Sequence, residues 1–167
     1  EIILFTRVIN SGKSIQKYKS NPNIKIVHWN FTDHELIKEN ILNSDCIINL
    51  CGILYENKKG DFFKIHSDFP ALLGKLSSTN NINTLIHVSA LGVSEFSESK
   101  YSRSKAIGER KLLENFPKGK IIRPSLLFGK GDNFFGQFSE MASLSPFLPL
   151  ISRGTKFQPV FVDDVAK

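Results

Sequence analysis

Two cysteines, one methionine and one tryptophan are all that this 167-residue chain has of those residue types, and the shortages narrow what it does. Cys46 and Cys51 fall on one expected strand at an odd separation, so their side chains point to opposite faces and do not easily pair. A disulfide scaffold is thereby disfavoured, and a reducing compartment suits the chain. The four histidines, His28, His34, His66 and His87, have no metal-ligand spacing with the cysteines, which argues against a metal centre. Long apolar runs are missing too. The longest, Ile47 to Tyr55, contains Asn49 and Gly52 and falls short of the roughly 20 residues a helix needs to span a bilayer, so no transmembrane segment is expected. The glycines form no G-x-G-x-x-G fingerprint, the usual mark of a dinucleotide pyrophosphate loop.

What is present is an ordinary globular composition, 41% hydrophobic and 23% charged, at a length that fits one domain. A net charge of +6 suggests an acidic partner such as nucleic acid, anionic lipid or a phosphorylated cofactor. Only Lys58-Lys59 and Arg110-Lys111 are adjacent basic pairs, and no basic stripe carries interleaved aromatics. A solvated basic surface is the better reading, with no nucleic-acid partner.

Short apolar runs alternate with helical stretches, the pattern of a parallel sheet built from βαβ units. The expected strands are Ile2 to Arg7, Ile24 to Trp29, Cys46 to Leu50, Thr84 to Ser89 and Lys120 to Arg123, each nearly continuous in apolar residues, as strands covered on both faces should be. Helices are expected at Asp33 to Asn43, with Asp33 as N-cap, at Asp61 to Thr79, at Ser99 to Phe116, and more weakly at Asn133 to Ser143. One core spans residues 1–128. From Gly129 to Lys167 the texture changes to a small C-terminal substrate or partner lobe, in which Pro146 and Pro149 turn the apolar stretch Leu144 to Ile151 into a loop. The chain opens directly on a strand at Glu1 and closes on a helix start at Asp163, which reads as the interior of a longer polypeptide.

In such a sheet, ligands bind outside the carboxyl ends of the strands. Arg7 ends the first strand where an NAD site usually offers an acidic residue, and an arginine there suits the 2′-phosphate of NADP. Asn30 and Phe31 end the second strand and could flank an adenine, while Gly52 lets backbone approach a ribose or pyrophosphate after the third. Ser89 ends the fourth. The helix that follows carries Tyr101 and Lys105 four residues apart, hence on one face, where the ammonium favours an ionised phenol and makes it a usable acid or base. Arg123-Pro124-Ser125 closes the next strand, across the nicotinamide end of the same cleft. Arg7 to Ser14 ends in Gly-Lys-Ser like a phosphate-binding loop, but its first glycine is replaced by Arg7 and the helix behind it is cut at Pro22. That stretch reads as a solvated turn.

Taken together, Cys46-Ile47-Ile48-Asn49-Leu50-Cys51-Gly52, Ile86-His87-Val88-Ser89-Ala90-Leu91, Tyr101 to Glu109, Arg123 to Gly129 and Gln158 to Val165 resemble the short-chain dehydrogenase/reductase superfamily. The likeness is to its extended or atypical, epimerase-like branch, and within that to the nucleotide-binding accessory subunit of respiratory complex I and its bacterial relatives. The resemblance implies a Rossmann-like α/β fold with a doubly wound parallel sheet. It assigns catalytic positions to Ser89, Tyr101 and Lys105, and cofactor contacts to Arg7, Asn30, Phe31, Asn49, Leu50, Cys51, Gly52, Lys105 and Pro124.

NADP(H) is the favoured cofactor and NAD(H) the alternative. Subunits of a membrane-bound respiratory complex are the implied partners, and a cytoplasmic or matrix-side position peripheral to the inner membrane is the implied location. Two departures stand out. The family's first strand and glycine-rich loop are absent, which would leave a gap between the strands at Ile2 and Cys46, with poor stability of the 167-residue chain alone and weak cofactor binding. Asn30 stands where relatives carry aspartate, and its amide oxygen can still accept from adenine. The functional expectation is a dinucleotide-binding component with a structural cofactor; the alternative is an active NADP-dependent oxidoreductase or epimerase on a small carbonyl or sugar-nucleotide substrate.

Overall fold

The structure is a computed structural model that describes residues 1–6, 15, 18–31, 33–130, 132, 143, 154 and 156–167. Strands β1 (Ile2–Thr6) and β2 (Ile24–His28) pair in parallel, with Ile2 opposite Ile24 and Thr6 opposite His28. Strands β3 (Cys46–Asn49), β4 (Thr84–Val88) and β5 (Lys120–Ile122) form a second parallel ladder in that order. A third, short ladder pairs β6 (Leu127–Phe128) with β7 (Val160–Phe161). The last four expected strands each end one residue sooner than the sequence suggests, because Trp29, Leu50, Ser89 and Arg123 already belong to the carboxyl edge. Arg7, most of the expected helix at Asn133 to Ser143 and the proline-broken loop lie outside the described residues.

The helices show why the sequence stops them where it does. Helix α1 (His34–Ile41) is capped by Asp33, whose carboxylate accepts from the Leu36 amide at 3.2 Å, and it buries Ile37 and Ile41 one turn apart. The stretch expected as one helix from Asp61 to Thr79 is instead α2 (Asp61–Phe63), a π turn (Lys64–Asp68) and α3 (Phe69–Thr79). Pro70 supplies the reason: it has no N–H to return to the His66 carbonyl, and one residue earlier the Phe69 amide reaches back five residues to Lys64. Helix α4 (Lys100–Asn115) starts on Ser99, which accepts from the Ser102 amide. It ends where the Phe116 amide bonds the Leu112 carbonyl at 2.8 Å. A last short helix, α5 (Val162–Ala166), follows β7.

One apolar core joins these parts. Leu85 on β4 and Leu112 on α4 are fully buried, with Phe69 and Leu73 of α3 packed against them. The Trp29 ring lies 4.7 Å from Phe31 and 4.9 Å from Phe69, so an aromatic cluster ties the β1-β2 ladder to α3. Among the described residues no strand links β1 to β3, and the two main ladders stay separate, as the missing family strand leads one to expect. One sequence expectation needs correcting. The face of the β3-β4-β5 ladder opposite α3 and α4 is not covered among the described residues: Ile48 is 59% exposed and Ile122 37%. Helices α3 and α4 pack on the side of Leu85.

Candidate functional site

Helix α4 crosses the carboxyl end of β4. Lys105, buried on its inner face, donates from Nζ to the Val88 carbonyl at 3.3 Å, one residue before Ser89. Ser89 is itself 5% exposed; its amide donates to the Ile122 carbonyl at 2.8 Å, and its hydroxyl has no partner among the described residues. One turn back along α4, Tyr101 sits half-buried with its ring centroid 5.8 Å from Lys105 Nζ, edge-on to His66 and Phe62. The three residues singled out in the sequence therefore occupy one place.

The loop after β3 closes onto it. Asn49 is buried: its Oδ1 accepts from the Cys51 amide and its Nδ2 donates to His87 Nδ1, both at 3.0 Å. These two bonds hold the turn at Cys51 against the end of β4. Gly52 sits beside the lysine, and a Cβ added there would lie 3.7 Å from Lys105 Nζ and from His66 Nε2, an ordinary contact. The fold does not demand glycine at 52. Leu50 projects outward at 72% exposure, and Cys51, half-buried, lies close enough to Lys105 to favour its charged form. Pro124 enters through its carbonyl, which takes the Leu91 amide at 2.9 Å and ties together the loops after β4 and β5.

Asn30 and Phe31 stand at the end of β2, where the Phe31 ring is engaged with Trp29 and Phe69. The guanidinium of Arg123, which follows β5, is turned onto Glu109 of α4, with Nε 3.0 Å from Oε1. The 5% exposed Glu109 carboxylate needs a cation more than the solvent does.

Electrostatics separate the groups. Burial pushes the Tyr101 phenol above its ordinary value, and the Lys105 ammonium bonds a backbone carbonyl rather than the phenol, so the expected help to ionisation is missing in this arrangement. Burial lowers Lys105, with Glu109 and then Cys51 opposing it. His66 falls to about 4 through burial, the Lys105 charge and then His87; His87 falls to about 4 through burial and Lys105, against Glu109. Both imidazoles are uncharged at neutral pH. Sequence reasoning overlooked His66, His87, Ser104 and Glu109 as parts of the site, although Ser104 and Gly108, two small residues four apart on α4, mark a stripe of close helix approach.

The fold is a Rossmann-like α/β fold that matches solved NAD-binding epimerase and reductase structures. It superposes on 99% of this chain and 62% of a UDP-glucuronic acid 4-epimerase from Bacillus cereus in complex with UDP-glucuronic acid and NAD, with a TM-score of 0.78 at 17% identity. A dTDP-4-dehydrorhamnose reductase from Bacillus anthracis in complex with NADP matches 86% of this chain and 60% of its own, with a TM-score of 0.64 at 20% identity. By sequence, the chain is a homologue of the mitochondrial NADH dehydrogenase [ubiquinone] 1 alpha subcomplex subunit 9 of Mus musculus, 37% identical over 148 residues. That alignment takes in 86% of this chain and 38% of the relative, so the chain spans well under half the length of the protein it matches. No protein-family model matches the chain.

Proposed function

We propose that the protein binds a nicotinamide dinucleotide at the edge formed by Asn49 to Gly52, Ser89 and Lys105, and keeps it as a structural cofactor in an accessory or assembly component of a respiratory complex. The observation that carries this reading is the convergence of Lys105, Ser89 and the exposed Gly52 at one strand edge. A buried ammonium, an unpartnered hydroxyl and room beside a backbone turn suit a ligand with sugar hydroxyls and a carboxamide carbonyl, the chemistry of a nicotinamide riboside. The kinship to a complex I subunit supports the choice of partner, with the matrix side of the inner membrane as the location. No helix among the described residues is long and apolar enough to cross a membrane, which fits a peripheral attachment.

NADP(H) is favoured over NAD(H) on the strength of Arg7. Ser89, Tyr101 and Lys105 hold the catalytic positions of the family, and Asn30, Phe31, Leu50, Cys51 and Pro124 complete the cofactor contacts. A structural role is preferred over turnover because the phenol is raised by burial and the lysine is directed elsewhere.

Calorimetry of the intact protein with NADPH and NADH tests binding, and Tyr101→Phe tests catalysis. Under this proposal the protein binds NADPH more tightly than NADH, and Tyr101→Phe changes little, while charge reversal at Arg7 weakens both NADPH binding and complex assembly. Reductase or epimerase turnover abolished by Tyr101→Phe with the cofactor still bound would establish the second reading, an NADP-dependent enzyme. Absence of any dinucleotide binding would leave a pure interaction module.

A further inference from the structure

The π turn carries a group that joins the two halves of the site. The Ile53 amide donates to His66 Nε2 at 3.0 Å, His66 Nδ1 lies 3.0 Å from Ser104 Oγ, and Ser104 Oγ donates to the Tyr101 carbonyl at 2.9 Å. The direction of every bond is fixed. An amide has a hydrogen and no lone pair to offer, so Nε2 accepts; a neutral imidazole then carries its hydrogen on Nδ1 and gives it to Ser104, which passes its own to the Tyr101 carbonyl. This path runs from the loop after β3 to the first turn of α4 through side chains at 1% and 0% exposure.

Its frame does not yield easily. The Ser67 hydroxyl donates to the Ser104 carbonyl at 2.7 Å, and the missing side chain of Gly108 lets α4 lie against the His66 carbonyl. We infer that His66 is a positioning residue that sets the Asn49 to Ile53 loop and the Tyr101 turn as one unit, so that neither half of the dinucleotide site shifts without the other. The inference rests on the nucleotide-binding reading proposed above.

The charged and titratable groups facing His66 are Lys105 and Tyr101 from α4 and His87 from β4. With the imidazole held down to about 4, Nε2 stays an acceptor through the physiological range. Protonation would place a donor against the Ile53 amide and break the path.

The test compares wild type, His66→Gln and His66→Phe in the intact protein. Phenylalanine keeps the ring contacts with Phe62 and Tyr101 and removes both hydrogen bonds, whereas glutamine offers an uncharged acceptor and donor. Expected for His66→Phe are faster hydrogen exchange at the Ile53 amide, displaced Tyr101 ring resonances and NADPH binding weakened about tenfold. His66→Gln should bind NADPH within about threefold of wild type, and it should lose less affinity than wild type as pH falls towards about 4, where His87 still titrates.

Unchanged Ile53 exchange and Tyr101 resonances in His66→Phe would overturn the inference, as would a wild-type ¹⁵N spectrum with the hydrogen on Nε2. If wild type binds no NADPH, the nucleotide reading fails, and the exchange and ring-shift comparison still decides whether His66 positions the loop. If His66→Phe does not fold, the wild-type tautomer and the pH profile of His66→Gln decide it.

Discussion

Gly108→Ala sets two opposing effects against each other, and the structure says which wins. A Cβ built at residue 108 lies 1.7 Å from the His66 carbonyl oxygen, 2.8 Å from its carbon and 3.2 Å from Ser67 Cα. All three are backbone atoms, so no rotamer relieves the contact. Real Cβ atoms essentially never come within 3.0 Å of such a neighbour, so α4 and the π turn must part by about 1.3 Å, the difference between 3.0 and 1.7 Å. That stretches the 2.7 Å bond from Ser67 to Ser104 and the 3.0 Å contact from His66 to Ser104 beyond hydrogen-bond range.

Overpacking of this kind costs about 1–3 kcal/mol, and two buried pairs left unmade cost about 1–3 kcal/mol each. Against this stands a gain of about 1 kcal/mol for alanine over glycine inside a helix. The net loss is about 2 kcal/mol or more, a large share of the roughly 5–15 kcal/mol that holds a domain together. Urea unfolding and thermal melting of the intact protein measure it, with a fall in melting temperature of about 4 °C or more expected for a cooperative unit of this size. A variant that melts at or above wild type would mean that helix propensity wins and that the close approach of α4 to His66 is wrong.

Three further outcomes are expected. Gly52→Ala meets only contacts of 3.7 Å and longer, so it should change stability by less than about 1 kcal/mol yet weaken NADPH binding about tenfold; unchanged affinity in calorimetry would remove Gly52 from the site. His66 and His87 have folded pKa values of about 4, below the usual imidazole value near 6.5, so the unfolded chain takes up more protons between those limits. Stability from this source is complete above about pH 6.5 and is lost as pH falls to about 4, on the order of a few kcal/mol; a flat urea midpoint over that range would contradict it. Arg123→Ala should destabilise more than Glu109→Gln, although Arg123 is the more exposed partner, because it strands a 5% exposed carboxylate at a cost on the order of 2 kcal/mol or more. The reverse order in denaturant melts would show that Glu109 is hydrated.

The parts of this fold that were legible in the sequence are those set by local periodicity. The strands at Cys46, Thr84 and Lys120 follow from apolar runs to within one residue at their carboxyl ends, and Asp33 and Ser99 announce helix starts through capping chemistry. The four-residue spacing of Tyr101 and Lys105 put both on the inner face of α4, and the end of β4 put Ser89 beside them. What the sequence hid depends on contacts between distant residues. The π turn needs Pro70 to withhold an amide and Gly108, on another helix, to fill the space at the freed carbonyl. The partner of Lys105 is a backbone carbonyl, which no side-chain pattern announces, and the pairing of Arg123 with Glu109 joins residues on different elements. Apolar residues at 48 and 122 looked like interior positions, because strand composition records what a sheet is suited to touch and not what covers it.

Stability alone does not account for the polar floor of the site. Asn49, His66, Ser67, His87, Ser89, Ser104, Lys105 and Glu109 are all buried, and apolar side chains of similar volume would pack there at no greater cost, since each internal hydrogen bond contributes only about 1 kcal/mol net. Several of these residues use their bonds to hold backbone: Asn49 the turn at Cys51, His66 the amide of Ile53, Ser67 the carbonyl of Ser104. Two atoms are used for nothing internal. The Ser89 hydroxyl and His87 Nε2, which carries the ring hydrogen because Nδ1 accepts from Asn49, have no partner among the described residues. Each orphan costs the folded chain about 1–3 kcal/mol, which a ligand returns if it brings an oxygen to the place. The floor is therefore rigid where it touches its own backbone and unsatisfied beside Lys105, an arrangement suited to holding a polar group in one pose. Holding needs no ionised phenol, and here burial keeps Tyr101 in its neutral form.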